Sequence, residues 1–261
     1  MKAYEIVTTV LLEMQKLAVV GANLLELDKR AEEMVLELGG KPYNKGYNPK
    51  WAPVPYPATL CIGVNDIIAH GIPTDYNLQD GDLVSFDLGV IKDGLCGDSG
   101  FTMGIGEVSN RDQRLLYYAK NTLYAGIEKV KAGVSVWEVA KAMEMYASMR
   151  GYVINQNLSG HGIGKEMHQD PKIPAFTYNR ENRMVDIMLG ASMDYVFKEG
   201  DTICLEPFLT YKDRSGFISE IDKWTIRTRD GKKSAFFEHM LEVTKDGCNI
   251  LTQHISKNEP V

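Results

Sequence analysis

The sequence predicts a mixed α+β fold in which two halves share one antiparallel sheet. Three observations predict it: a globular composition, an alternation of helical and strand segments, and a strong hairpin signal. Of the 261 residues, 44% are hydrophobic and 25% are charged, as in a folded chain that is long enough to bury a core. The segments follow the order helices, strands, helices, strands, which favours this architecture over a parallel sheet of βαβ units.

Four segments carry apolar residues at helical spacing. They are residues 4–20, 24–38, 111–132 and 136–149. The pair Gly39-Gly40 ends the second segment, because glycine interrupts helices. Ser135 and Glu138 stand at the start of the fourth segment with the spacing of a capping box. The sequence therefore predicts one pair of helices in each half.

Strand patterns dominate most of the remaining chain. They cover residues 59–106, 202–209, 217–227 and 236–243. Residues 41–57 are rich in proline and aromatic side chains and predict a loop. Such a loop is either the wall of a pocket or a plain surface loop, and the sequence alone does not choose between them. Residues 171–200 show no regular pattern.

Charge and hydropathy exclude several classes of protein. The net charge is -6, and no run of lysine or arginine suggests a surface for nucleic acid or for a membrane. No run approaches the roughly 20 apolar residues that span a bilayer. Near the start, Glu13 and Lys16 interrupt any apolar signal core. Since glycine-rich phosphate loops are also absent, we expect a soluble, cytoplasmic protein that is not a nucleotide enzyme of those types.

The four cysteines, Cys61, Cys96, Cys204 and Cys248, are far apart and form no CxxC pair. This spacing argues against both a disulfide framework and a zinc ribbon. We expect reduced and mostly buried thiols.

Residues 83–101 contain the most informative pattern. Their first half alternates between large apolar and small or polar side chains, so one face should pack on a core. Asp93-Gly94 is a strong two-residue hairpin turn. If it is the turn, Lys92 pairs with Leu95, and paired residue numbers sum to 187.

That register places Asp98 opposite Gly89 and on the same face as Asp87. Diagonal neighbours of this kind have backbones roughly 7–8 Å apart, so the two carboxylates can converge over the space that Gly89 leaves empty. They repel each other unless one is protonated or a divalent cation lies between them. The alternative is a pair of solvent-facing aspartates on a half-exposed hairpin.

Two further acids, Glu206 and Glu238, lie in strongly apolar strand segments. An unpaired charge is rarely buried in such a segment, because its desolvation is costly. Each could be neutralised by a lysine or arginine. Together with Asp87, Asp98 and His161, however, they would form a carboxylate-rich site with one imidazole. Such a ligand set suits Mn(II), Fe(II) or Co(II), with zinc also acceptable.

Several segments together resemble the type I methionine aminopeptidases. They are YPATLCIGVND (56–66), AHGIP (69–73), VSFDLGVIKDGLCGD (84–98), GHGIG (160–164), MHQDP (167–171), LEPF (205–208), WTIRTRD (224–230) and FEH (237–239). The resemblance covers nearly the whole chain, and the segments follow the family's order. The spacings from Asp87 to Asp98 and from His161 to His168 match the family as well.

The resemblance implies the pita-bread fold, a pseudo-twofold α/β domain with helices behind a curved antiparallel sheet. It implies one catalytic metallopeptidase domain over residues 1–261. Two divalent ions (cobalt, manganese, iron(II) or zinc) would bind there, and a hydroxide held by both would remove the N-terminal methionine of nascent proteins. The implied metal ligands are Asp87 at one ion, Asp98 and Glu238 at both, and His161 and Glu206 at the second.

The resemblance also implies catalytic and substrate-binding residues. His70 and His168 would contact the substrate, and Glu206 would move a proton from water to the departing amine. Tyr56, Cys61 and Trp224 would line the methionine pocket.

Two departures from the family concern this pocket. Met167 stands where many members have an aromatic residue, so it would shape the substrate site differently. Pro53 and Val54 stand where many members have a Tyr-His pair. The stretch between His168 and Glu206 is also longer than in minimal members, and it would reshape the rim or form a lid.

Three other readings compete with this one. Prolidases and proline-specific aminopeptidases share the fold but carry a large N-terminal domain, whereas only 86 residues precede Asp87 here. A binding module would have lost metal ligands, yet all five are present. A purely structural protein would carry the motif residues by coincidence. We expect a monomer that binds no nucleic acid and whose transient contact with the ribosome would use the folded surface.

Overall fold

The computed structural model describes residues 1–178 and 193–253. Within these residues the helices are α1 (Ala3–Leu17), α2 (Leu24–Glu37), α3 (Asn110–Ile127) and α4 (Val136–Ser148). The strands are β1 (Lys41–Pro42), β2 (Cys61–Val64), β3 (Ile67–Ala69), β4 (Leu83–Lys92), β5 (Leu95–Gly104), β6 (Val153–Ile154), β7 (Gly160–Gly162), β8 (Gln169–Ile173), β9 (Thr202–Leu205), β10 (Phe208–Thr210), β11 (Phe217–Ile218), β12 (Ile226–Arg227), β13 (Ala235–Val243) and β14 (Cys248–Ile250).

The four predicted helices are confirmed, although each ends between one and five residues earlier than the apolar pattern suggests. After α1 the chain turns at Gly21, whose φ of 88° is accessible to glycine, and Val19 and Val20 remain exposed. The predicted capping box is present at the start of α4. There the Ser135 hydroxyl accepts from the Glu138 N–H, and the Ser135 N–H donates to the Glu138 carboxylate.

One antiparallel sheet runs through both halves of the chain, as predicted. Its central order is β1-β4-β5-β13-β9-β7-β8, so that β5 of the first half lies beside β13 of the second. A separate small sheet has the order β11-β12-β3. The strand-rich stretch predicted at 217–227 contains two short strands, β11 and β12. The Asp222 carboxylate accepts the N–H groups of Trp224 and Thr225 and forms a turn that separates β11 from β12.

The predicted hairpin register is confirmed residue by residue. Lys92 pairs with Leu95, Gly89 pairs with Asp98, and Asp87 pairs with Gly100. Because side chains alternate across a strand, Asp87 and Asp98 lie on one face of the hairpin. The other face carries the apolar residues of β4, which are fully buried: Val84, Phe86, Leu88 and Val90.

The main hydrophobic core lies between the large sheet and the helices. Buried residues of α1, α2, α3 and α4 join those of the central strands in one cluster. Helix α1 packs on β4 and β5, and α3 packs on β13. The two aspartates therefore project from the face of the hairpin opposite to α1. No helix of residues 1–178 and 193–253 is long and apolar enough to cross a membrane.

Residues 41–57 form β1 and a loop, as predicted. The four cysteines are free thiols, and Cys61, Cys96 and Cys204 are buried. Within the irregular stretch at 171–200, residues 171–173 belong to β8. Residues 179–192, in which we expected a rim or lid, lie outside the described residues.

Candidate metal centre

Neighbouring strands bring the predicted donors together. Asp87 and Asp98 come from β4 and β5, and Glu238 of β13 pairs with Gly100 of β5. His161 of β7 pairs with Cys204 of β9, and Glu206 follows directly after β9. Since β5, β13, β9 and β7 are consecutive in the sheet, these side chains converge although they lie far apart in the sequence.

The donor atoms are close enough to share a metal ion. One atom each from Asp98, His161, Cys204 and Glu238 lies within 4.8 Å of the others. His161 Nε2 is 3.8 Å from Asp98 Oδ2 and 3.6 Å from Glu206 Oε1. This arrangement is compact enough for a common cation, and Glu206 extends it on the side of His161.

Two of the acids have buried oxygens without a hydrogen-bond partner. Asp98 is 8% and Glu238 is 2% exposed, and the buried atoms Asp98 Oδ1 and Glu238 Oε1 have no hydrogen-bond partner. Within residues 1–178 and 193–253, no lysine or arginine forms an ion pair with Glu206 or Glu238, so neutralisation by such a partner is not found there. Buried oxygens without partners are costly, and a divalent cation would satisfy them.

Burial and mutual repulsion raise the pKa values of the four acids. Burial raises the pKa of Asp87 to about 7. Burial, followed by repulsion from neighbouring carboxylates, raises the pKa values of Asp98, Glu206 and Glu238 well above their usual range. The cluster thus holds protons tightly unless positive charge is supplied. A pair of divalent ions supplies such charge, so the donor set fits the implied metals.

The histidines of the site are neutral at physiological pH. Burial lowers the pKa of His161 to about 4, and burial alone lowers that of His70 to about 4. Desolvation, followed by the nearby His161, also lowers the pKa of His168, whose ring lies at the rim. A neutral imidazole is the form that binds a metal or accepts a proton.

Cys204 was not predicted as part of the site. It is fully buried, and burial followed by the charges of Glu238 and Asp98 raises the pKa of its thiol. The sequence did contain a signal that Cys204 faces the site. Cys204 and Glu206 are two residues apart, and residues at that spacing share a strand face.

A cavity of about 330 Å³ opens above the donor cluster. Ten of the eleven predicted site residues line it: Tyr56, Cys61, His70, Asp87, Asp98, His161, Met167, His168, Glu206 and Trp224. Glu238 does not line it and lies beneath the others. The polar floor and the aromatic wall therefore belong to one cavity.

His70 has an unusual backbone. Its φ is 52°, in the left-handed region that residues other than glycine rarely adopt outside functional sites. Its buried Nδ1 has no hydrogen-bond partner, and its ring stacks on Trp51 at 6.1 Å. His168 lies on the other side of the cavity, with its ring centroid 4.5 Å from that of His161. Two histidines thus flank the space above the donors.

The predicted methionine pocket is both packed and open to the cavity. Tyr56, Cys61 and Trp224 belong to one small buried cluster and also line the cavity. Trp224 meets Tyr56 edge to face at 5.1 Å and donates its Nε1–H to the Val54 carbonyl at 2.9 Å. An aromatic slot with one sulfur suits an unbranched thioether.

We expected the space next to Gly89 to be empty, but Met167 and Tyr43 occupy it. A Cβ added to Gly89 would lie 2.6 Å from Met167 Cε and 3.1 Å from Tyr43 Cβ. Met167 is only 2% exposed and packs over the hairpin between the two aspartates. Position 89 requires glycine because Met167 fills the space that a larger side chain would occupy.

The loop at 41–57 forms the aromatic wall of the cavity. Tyr43, Tyr47 and Trp51 line it together with Tyr56, and the Tyr47 ring lies 5.8 Å from that of His168. Of the two interpretations of this loop, the pocket wall is the one that the structure supports. Lys172 also lines the cavity, because it pairs with His161 across β7 and β8, and sequence reasoning missed it.

Comparisons with known proteins agree on one family. The model of metallopeptidase family M24 matches residues 1–245. A methionine aminopeptidase of Aquifex aeolicus is 35% identical, and the alignment covers 97% of this chain and 94% of the relative. One from Helicobacter pylori is 34% identical with the same coverage.

Solved structures share the fold. The crystal structure of methionine aminopeptidase from Rickettsia prowazekii has a TM-score of 0.86 at 28% identity, and the match covers 96% of this chain and 94% of that chain. An Xaa-Pro dipeptidase from Bacillus anthracis has a TM-score of 0.72 at 18% identity, and only 58% of its chain is covered. The latter similarity concerns the pita-bread fold alone.

The fold and the buried donor cluster define a metal-binding protein of the pita-bread type. By sequence, the chain belongs to the methionine aminopeptidases of metallopeptidase family M24.

Proposed function

We propose that the chain removes N-terminal methionine from peptides and nascent proteins by metal-dependent hydrolysis. The observation that carries this proposal is the position of the buried donor cluster at the base of a cavity with an aromatic and sulfur-containing wall. The methionine aminopeptidases that this chain resembles give the same reaction class. We infer further that the described halves act as one catalytic domain, because donors from both line one cavity.

The residues proposed to hold two divalent ions are Asp87, Asp98, His161, Glu206 and Glu238. The unpartnered oxygens of Asp98 and Glu238 support this assignment. Manganese, iron(II), cobalt and zinc are all compatible with these ligands. When bound, such ions polarise a carbonyl oxygen and make water a stronger acid.

The remaining steps belong to side chains of this chain. Glu206, which lines the cavity, takes a proton from the attacking water and gives it to the departing amine. His168 donates a hydrogen bond to the oxygen that becomes negative at the scissile carbonyl. His70, whose Nδ1 has no protein partner, holds the scissile amide. Both histidines are neutral at pH 7, so they add no charge that would repel the metals.

A pair of peptides tests the proposed specificity. The manganese-loaded protein is assayed for release of the first residue from Met-Ala-Ser and from Ala-Ala-Ser. Release of methionine alone is expected, because the thioether fills the slot beside Tyr56 and Trp224. Equal release from both peptides would retain the metal site and reject the methionine pocket.

Filling the methionine slot should slow the release of methionine. Replacing Cys61 by leucine adds bulk to the wall, and kcat/KM for Met-Ala-Ser should fall about 10- to 100-fold, since a methylene in a tight pocket contributes about 1–3 kcal/mol. Metal affinity, measured by calorimetry, should not change. The matched control is Cys248→Leu, because Cys248 is half-buried and does not line the cavity. An unchanged kcat/KM in Cys61→Leu would argue against the slot.

Metal should stabilise the protein most at neutral pH. Folding raises the pKa of Asp87 to about 7, from about 3.9 in an unfolded chain. The contribution of Asp87 to the stability of the metal-free protein should therefore be greatest below about pH 4. This contribution should be lost as the pH rises toward 7. At a free manganese concentration of 100 Kd, one site adds about 2.7 kcal/mol, or about 5–10 °C in Tm for a chain of this size.

Thermal unfolding of the chelated protein and of its Asp87→Asn variant from pH 4 to 8 checks this prediction. The difference between the two should grow with pH, with the variant becoming relatively more stable. A difference independent of pH, or an absence of stabilisation by manganese at pH 7.5, would contradict it.

A further inference from the structure

A second cavity adjoins the catalytic one. Its volume is about 240 Å³. Trp51, His70, Asn157 and Leu158 line both cavities, so the two form adjoining parts of one groove. The proposed catalytic steps use only the first part.

The far end of this groove is apolar and partly open to solvent. Phe217 and Ile218 of β11 line it and are 41% and 47% exposed. Ile226 of β12 pairs with Ile218 and is buried below. Large apolar side chains exposed together beside a cavity are typical of a binding surface. A cavity of roughly 150 Å³ is already enough for a benzene ring, so this one accommodates a large side chain.

The chemistry of the wall restricts what binds there. The residues that line the second cavity, within the described part of the chain, include no aspartate, glutamate, lysine or arginine. His70 is neutral because burial lowers its pKa. The wall offers apolar and aromatic contacts apart from its three uncharged polar residues, His70, Asn157 and Ser215. An apolar side chain gains more from it than a charged or amide side chain of similar size.

The position relative to His70 identifies the source of that side chain. In the proposed function His70 holds the scissile amide, and Trp51 stacks beyond it at 6.1 Å. An extended chain advances about 3.3–3.6 Å per residue, so two residues past the scissile bond carry a peptide from His70 beyond Trp51. The third or fourth residue of the substrate thus reaches the second cavity.

We propose that the second cavity, formed by Trp51, Leu158, Phe217, Ile218 and Ile226, is a subsite for an apolar side chain at the third or fourth position of the substrate. This inference rests on the proposed aminopeptidase function, because that function fixes where the peptide lies. It adds a preference downstream of the cleaved bond that the metal centre and the methionine slot do not provide.

The test compares leucine with asparagine, which has a similar size. The manganese-loaded protein is assayed with Met-Ala-Leu-Ser-amide against Met-Ala-Asn-Ser-amide, and with Met-Ala-Ser-Leu-amide against Met-Ala-Ser-Asn-amide. In one of the two pairs, kcat/KM should be about fivefold higher for leucine, in the range of selectivity that one apolar contact provides. A ratio near one in both pairs would overturn the proposal.

Variants at the far end should remove this preference. With Phe217→Ser and Ile218→Ser, the ratio of leucine to asparagine should fall to about one. The matched control is Ile221→Ser, because Ile221 lies on the same connection, is 97% exposed and does not line the cavity. It should keep the wild-type ratio. A ratio that persists in Phe217→Ser and Ile218→Ser, with unchanged Tm, would place the preference elsewhere.

A binding measurement separates this proposal from the proposed function. The same four peptides with D-methionine at the first position, which are not turned over, are titrated calorimetrically into the manganese-loaded protein. Tighter binding of a leucine peptide, lost in Phe217→Ser, supports the subsite even if no methionine is released. Cleavage of Met-Ala-Ser without any leucine preference in rate or binding would leave the function intact and reject the subsite.

Discussion

Replacing Asp98 by asparagine is expected to abolish metal-dependent hydrolysis. Asp98 is 8% exposed, and its Oδ1 has no partner in the described protein, so the proposed ions are the groups that it serves. A metal acting as a Lewis acid contributes several kcal/mol to the transition state, and each 1.36 kcal/mol is tenfold in rate. The loss in kcat/KM for Met-Ala-Ser should be about a thousandfold.

The same substitution should leave the folded protein intact and make its metal-free form more stable. Repulsion from Glu238 and Asp87 raises the pKa of Asp98 beyond the effect of burial, and an amide removes that repulsion. Stability gained at the expense of activity is typical of a functional site. Calorimetric titration with manganese and thermal unfolding after chelation check both statements. The control is Asp93→Asn at the hairpin turn, whose side chain is 82% exposed.

If Asp98→Asn binds manganese as tightly as the wild type and retains its rate, Asp98 does not belong to the ligand set. Loss of activity together with a lower Tm and disturbed folding would instead indicate a structural role. Glu238→Gln provides an independent check from a different strand, because Glu238 Oε1 is also buried without a partner.

Glu206→Gln is expected to reduce kcat strongly while retaining metal. General acid–base catalysis contributes about 10²- to 10⁴-fold, and a glutamine cannot carry the proton from water to the departing amine. Its side-chain oxygen can still face the metal and His161, so manganese affinity should fall much less than kcat. The protein with full metal occupancy is assayed for kcat on Met-Ala-Ser over a range of pH.

A structural role for Glu206 would lower metal affinity and kcat together, and saturating manganese would then restore the rate. The expected result is that saturation does not restore it. Full activity in Glu206→Gln would show that another group moves the proton. Glu166→Gln is the matched control, since Glu166 is exposed on the segment between His161 and His168 and does not line the cavity.

The geometry of the carboxylate hairpin could be predicted because it depends on local chemistry. Asp93-Gly94 determines the turn, the turn determines the register, and the register places Asp87 and Asp98 on one face. The apolar alternation of β4 then decides which face is buried against α1. Each of these steps uses residues that are close in the sequence, so no tertiary information is needed.

Other parts of the site depend on segments that are distant in sequence. Met167 fills the space beside Gly89, and nothing near Gly89 in the sequence indicates this. Cys204 approaches Asp98 and Glu238 only because β9 lies next to β13. The resemblance to a family supplied the ligand set, whereas the second cavity requires β11 and β12 to approach the loop that carries Trp51. The apolar pattern at 217–227 predicts strand but does not show where it divides, because the division depends on the turn that the Asp222 side chain forms.

A metal titration of the stripped protein, with methionine release as the readout, shows whether hydrolysis depends on ions bound at the donor cluster. Manganese is added stepwise to chelated protein, and methionine released from Met-Ala-Ser is measured beside calorimetric binding. The account predicts no release without metal, and a rate that rises in step with metal binding in the wild type but not in Asp98→Asn. Release that is independent of metal, or tight binding of metal without any release, would contradict it.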